Sequence, residues 1–97
     1  MEPLLERIGV RVAGEINLGT RHVWEAALEP LMKRGTDVYL DLGRVVFSDA
    51  AAAASLVTGA RRLRAGRRVV LIDPPRSMRR TLELLYAGAS SIEVQGR

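Results

Sequence analysis

The chain opens on an alternation of apolar and polar positions. Ile8, Val10 and Val12 fall on one face and Arg7 and Arg11 on the other, a period of two that predicts a strand over about Leu5 to Ile16. Gly14 marks a bend or bulge in it. Asn17 to Thr20 reads as a connection, with Thr20 as a candidate N-cap. From Arg21 to about Arg34 the period changes: Val23, Trp24, Ala27, Leu28, Leu31 and Met32 recur at helical spacing, and Gly35 stops the helix. Pro30 predicts a kink or break near the last turn.

The second half repeats this rhythm. Val38-Tyr39-Leu40-Asp41-Leu42 reads as a short central strand, Gly43-Arg44 as a turn, and Val45-Val46-Phe47 as a return to extended chain. Ser48 or Asp49 caps an alanine-rich helix expected to reach about Ala65, with Ala53, Leu56, Val57, Ala60 and Leu63 facing the core. Gly66 ends it. Val69 to Ile72 is an apolar β-branched run that predicts a buried strand, and Asp73-Pro74-Pro75 delays the next helix until after Pro75. That helix is expected over about Arg76 to Ala87, with Met78, Leu82 and Leu85 inward and Gly88 closing it. Ile92-Glu93-Val94 reads as a last strand. The alternation predicts an α/β fold, a single domain over residues 1–97 with a mixed sheet of about four to five strands packed against helices.

Ninety-seven residues suit one core. No apolar run approaches the roughly 20 residues that cross a bilayer, and Met1-Glu2-Pro3-Leu4-Leu5-Glu6-Arg7 lacks the basic-then-apolar order of a signal peptide. With no cysteine there is no disulfide framework and no thiolate metal site. A cytoplasmic protein without membrane insertion is the expectation.

Charge changes the picture in the second half. The chain carries a net +4, concentrated after Ala60 in Arg61, Arg62, Arg64, Arg67 and Arg68 and then in Arg76, Arg79 and Arg80. Such a face attracts an acidic protein, a nucleotide or a nucleic acid, or is simply a solvated surface. Single-strand binding also needs stacking aromatics. Trp24, Tyr39, Phe47 and Tyr86 all lie outside the arginine cluster, and Trp24 and Phe47 suit the core, so no nucleic-acid partner is expected.

Catalytic chemistry has little to draw on. His22 is the only histidine, and Ser48, His22 and Asp49 lack the glycines of a nucleophile elbow. The acids are scattered, and no glycine-rich phosphate loop is present. The expectation is a binding protein rather than an enzyme, with no metal and no cofactor. The stretch that invites binding is Ser48 to Ser55, where an apolar strand runs into a helix start almost bare of side chains. The first turn of a helix carries unpaired N–H groups and partial positive charge, and alanines let another surface approach it closely. Alanine is also simply the best helix former.

The order of residues resembles the STAS family of sulfate-transporter and anti-sigma-factor-antagonist domains. Gly14-Glu15-Ile16-Asn17 is similar to that family's Gly-Glu-Leu-Asp. Val38 to Leu42 with Val45 to Asp49 is similar to its strand-and-loop signature, in which an Asp precedes a Ser or Thr and a Gly-x-Gly. Val69 to Pro74 with Arg79 to Leu84 is similar to its later strand and helix. The resemblance implies an anti-anti-sigma role: binding an anti-sigma factor with serine-kinase activity, which switches the domain off by phosphorylating the Ser or Thr after the Asp. A phosphate adds nearly two negative charges and bulk there. Here that position is Ala50, the Gly-x-Gly positions are Ala52 to Ala54, and the early Asp is Asn17. The resemblance thus implies docking through Asn17, Leu18, Ser48, Asp49, Ala50, Ala51, Ala53 and Ala54, without a phosphate acceptor at Ala50. Ser48, Ser55 and Thr58 are the substitute hydroxyls, Ser48 being expected to be the most accessible. The alternatives are a STAS subunit of a membrane lipid or solute transporter, docked on its ATPase, and a nucleotide-binding or self-assembling scaffold, including a homodimer, that uses the arginine face.

Overall fold

The computed structural model describes residues 1–5 and 7–96. Strands and helices follow one another as β1 (Glu2–Pro3), β2 (Gly9–Ile16), α1 (Arg21–Lys33), β3 (Val38–Ser48), α2 (Ala50–Ala60), β4 (Val69–Ile72), α3 (Arg76–Leu85) and β5 (Ile92–Gln95). They form one five-stranded sheet in the order β1-β2-β3-β4-β5. Only β1 runs antiparallel to its neighbour; β2 to β5 are parallel. The sheet is therefore mixed, as expected, with β1 the strand that the sequence pattern did not signal.

Each crossover moves one strand further in the same direction, and crossovers of one hand then stack their helices on one face. The core has that arrangement. Trp24, Leu28 and Met32 of α1, Ala53 and Leu56 of α2, and Met78 and Leu82 of α3 pack in one cluster with Val12, Leu40, Leu42 and Leu71 of the sheet. The intervening strand residues face the other way and are more polar. There Arg11 Nε donates to Asp41 Oδ2 at 3.2 Å, and the Arg7 guanidinium sits 4.5 Å from the centroid of the Tyr39 ring.

Several expectations need correcting. β3 runs through Gly43 and Arg44 without a turn. The ladder explains how: Arg11 pairs with Asp41 but Ala13 with Arg44, and Gly14 pairs with Val45 but Glu15 with Phe47. At each step β3 carries one more residue than β2, so the ladder absorbs two bulges. The second coincides with Gly14, whose φ of 90° suits the bend expected of it. The extra residues also break strict alternation, leaving both Val46 and Phe47 exposed, Phe47 at 46 % rather than in the core.

Helix boundaries shift for similar reasons. Pro30 does not end α1, which continues to Lys33; Pro30 and Ala26, whose carbonyl its absent N–H would have met, are both exposed. Trp24, Leu28 and Met32 form the buried stripe, leaving Val23 exposed. α2 stops at Ala60 rather than Ala65, because Arg62 and Leu63 turn back to the carbonyls of Gly59 and Ala60. α3 stops at Leu85, which is 66 % exposed rather than inward. Its core stripe is Met78 and Leu82 followed by Tyr86, spaced by four, and that spacing rotates Leu85 outward.

Close packing of β2 on β3 begins at Gly9, where an added Cβ would lie 1.7 Å from the Tyr39 carbonyl oxygen. Gly9→Ala is expected to lower the unfolding free energy by about 3 kcal/mol. Gly88→Ala, with nothing within 4 Å of its added Cβ, should change it by less than about 0.5 kcal/mol. Urea unfolding of the two variants checks this; equal stabilities would contradict the register.

Candidate functional site

The site is built where β2 and β3 end together. Ile16 pairs with Ser48 in the ladder, and the Asp49 N–H extends the pairing by donating to the Ile16 carbonyl at 3.0 Å. Both chains then leave the sheet at its C-terminal edge, the edge on which parallel α/β sheets carry their binding loops.

On the β2 side, residues 17–20 form a pinned turn. Asn17 Oδ1 accepts from the N–H groups of Gly19 (2.9 Å) and Thr20 (3.2 Å). Thr20 Oγ1 accepts from the Asn17 N–H at 3.0 Å and donates to the Glu15 carbonyl at 2.9 Å. Thr20 stands at the N-cap position of α1 but makes no side-chain cap, its hydroxyl being committed to the turn. The result is a fixed loop with Leu18 at its tip, 79 % exposed.

On the β3 side, Asp49 rather than Ser48 is the cap. Its backbone is extended (φ −86°, ψ 174°), and Oδ1 accepts from the Ala52 N–H at 3.0 Å. Ala50 is exposed, and Asp49, Ala51 and Ala54 are half-buried. Two expected contact residues are not on this surface: Ala53 lies at 0 % exposure in the core, and Ser48 is 2 % exposed. Ser48 sits inward because the strand must meet α3 there. Its N–H donates to Ser77 Oγ at 3.0 Å, while its own hydroxyl is buried without a hydrogen-bond partner. The expected order of accessibility among the hydroxyls is thus reversed: Thr58 is exposed, and Ser55 is half-buried with its Oγ donating to Glu25 Oε2 at 2.7 Å.

The neighbouring elements brace this edge. Trp24 Nε1 donates to the Ala52 carbonyl at 3.2 Å, so the largest core side chain ties α1 to the first turn of α2. His22 is exposed and makes no bond to Ser48, so the two do not form a nucleophile and base. Among the described residues no three His, Cys, Asp or Glu side chains group as a metal site, and no helix is long and apolar enough to cross a membrane. Sequence reasoning missed Ser77; a serine in the first turn of α3 carries no signal that it will receive a strand's N–H from 29 residues away.

The family model described as Mlab, STAS domain matches residues 4–89 of the chain. The chain belongs to the STAS family. The STAS domain superimposes on the structure titled as that of the anti-sigma factor antagonist SpoIIAA in its unphosphorylated form, with a TM-score of 0.70. The match covers 98 % of this chain and 86 % of that one at 19 % identity, and so establishes a shared fold. No curated protein sequence matches the chain.

The contacts around Ser48 separate two serines by their effect. In this STAS domain Ser48→Ala removes a buried hydroxyl with no partner and should leave stability unchanged or raise it by up to about 1 kcal/mol. Ser77→Ala leaves the Ser48 N–H without its acceptor and should cost about 1–2 kcal/mol. Thermal unfolding reads the difference, and the opposite ranking would contradict the geometry.

Proposed function

We propose that this STAS domain is a docking module that engages an anti-sigma factor of the kinase class through Leu18 and the Asp49–Ala51 start of α2, without control by phosphorylation at residue 50. The observation that carries the reading is the exposed methyl of Ala50 immediately after the capping Asp49. The position is open to a partner, but it has no oxygen to accept a phosphoryl group. The pinned turn beneath Leu18 supports it as well, since a pre-ordered loop loses little conformational entropy on binding. Asp49 keeps its carboxylate on the Ala52 N–H and so holds the helix start in one geometry for the partner.

A second reading rests on the same alanine. A surface without a switch suits a permanent subunit, such as a STAS subunit of a membrane lipid or solute transporter seated on its ATPase. In both readings the role is binding rather than catalysis, and the contact is made by the same edge.

Incubation with the anti-sigma kinase of its own cell and ATP is expected to give a stable complex with no phosphate on residue 50. Ala50→Ser should then become a phosphate acceptor and lose the complex once modified. Ala50→Glu should abolish binding by at least roughly tenfold while leaving the fold intact, because an acidic side chain is favourable in the first turn of a helix. Failure to bind any such kinase, with capture by a transporter ATPase instead, would favour the second reading. Wild-type binding retained in Ala50→Glu would contradict both.

A further inference from the structure

The two edges of the sheet are finished differently. At one end β1 has only two residues, the second of them Pro3, and it pairs with β2 at Arg11 and Val10. The β2–β3 ladder beside it is bulged around Gly14. A very short strand, a proline and a bulge all keep an edge from pairing with another chain. At the other end β5 is the last strand of the sheet. It follows β4 residue for residue, from Val69 with Ile92 to Ile72 with Gln95, and it contains no proline, lysine or glycine.

The backbone of β5 decides which of its groups face outward. The carbonyls of Ser91 and Gln95 accept from the N–H groups of Val69 and Asp73, each at 2.7 Å. The odd-numbered residues thus bond to β4, and the alternate residues turn their N–H and C=O to the other side. The Ile92 N–H is used locally, on the Ala89 carbonyl at 3.2 Å. The Ile92 carbonyl, both backbone groups of Val94 and the Gly96 N–H therefore point to the open edge.

The side chains do not guard that edge either. Glu93 is the one charged residue of β5, and both its oxygens are held by its own chain: Oε1 accepts from Arg68, and Oε2 from Gln95 Nε2 at 2.7 Å. On the helical face Ile92 and Val94 border a groove of about 380 Å³ with Leu82 and Tyr86, and Val94 is 43 % exposed. Arg79 and Glu83 line the same groove. Arg79 leans on Asp73 at 3.7 Å, whereas Glu83 has no ion pair among the described residues.

We propose that β5 pairs antiparallel with β5 of a second copy of the chain, with Val94 on the two-fold axis. The outward groups set this register. Val94 exchanges both its backbone hydrogen bonds with its counterpart, and each Gly96 N–H reaches the Ile92 carbonyl of the other copy. Glu93 then stands opposite Gln95 of the copy, an acid against an amide; a two-fold axis through Glu93 would set two carboxylates against each other. The paired valines lie on the helical face, so each copy lays an apolar edge along the groove of the other. That groove carries charges of both signs, so the same surface can meet itself without net repulsion, as an isologous contact requires.

Sedimentation equilibrium of the full chain tests this: twice the chain mass is expected at high concentration, with dissociation on dilution. Val94→Lys sets like charges opposite each other on the axis and should weaken the dimer at least roughly tenfold, with the circular dichroism unchanged. Val23→Lys, the same change at an exposed valine of α1, should not. In the wild-type protein, hydrogen exchange of the Val94 and Gly96 amides should slow as concentration rises and stay constant at Gly19, a readout that needs no variant to fold. A monomer up to millimolar concentration, a dimer that Val94→Lys and Val23→Lys affect equally, or exchange that slows at residues 17–20 or 61–68 instead of β5 would overturn the proposal.

Discussion

The parallel pairing of β2 with β3 is the constraint on which the rest of the structure depends. It begins at a glycine that touches the neighbouring backbone and ends with the Asp49 N–H on the Ile16 carbonyl. Between these points β3 takes up two residues more than β2. Without the bulges Ile16 would not meet Ser48, and the turn carrying Leu18 would not leave the sheet beside the start of α2. The position of the proposed docking edge is therefore set by a ladder whose register depends on backbone contacts along its whole length. The Trp24 indole then locks α1 to the first turn of α2, so that the edge is braced from the helical layer as well as from the sheet.

Most of the element order was legible because the hydrophobic period changes cleanly between strands and helices. What was not legible has common causes. A bulged strand loses its period of two, which is why Gly43-Arg44 reads as a turn and Phe47 as core. A helix flanked by glycine invites extension to that glycine, yet α2 ends earlier because its last carbonyls are taken up by a turn through Arg62 and Leu63. Leu85 reads as inward until Tyr86 is seen to continue the stripe of Met78 and Leu82.

The candidate site divides in the same way. A cap at Ser48 or Asp49 followed by alanine was legible from local sequence, since capping is a matter of adjacent residues, and the bond from the Ala52 N–H decides for Asp49. The burial of Ser48 was not, because it depends on α3; Ala53 was expected both to face the core and to meet a partner, and at 0 % exposure only the first holds. Small side chains at a helix start serve two purposes that sequence cannot separate: Ala50 is bare toward solvent, while Ala53 is bare because the core leaves no more room. Belonging to the STAS family accounts for the fold that carries this edge, and residue 50 there is an alanine without a hydroxyl.

Hydrogen exchange of the STAS domain, free and bound to the partner isolated from its own cell, tests the docking edge most directly. Protection confined to residues 17–20 and 49–54 is the expected result, with residues 61–68 and β5 exchanging as in the free protein. Protection centred on β5 or on residues 61–68, with the Leu18 turn and the start of α2 unchanged, would contradict it.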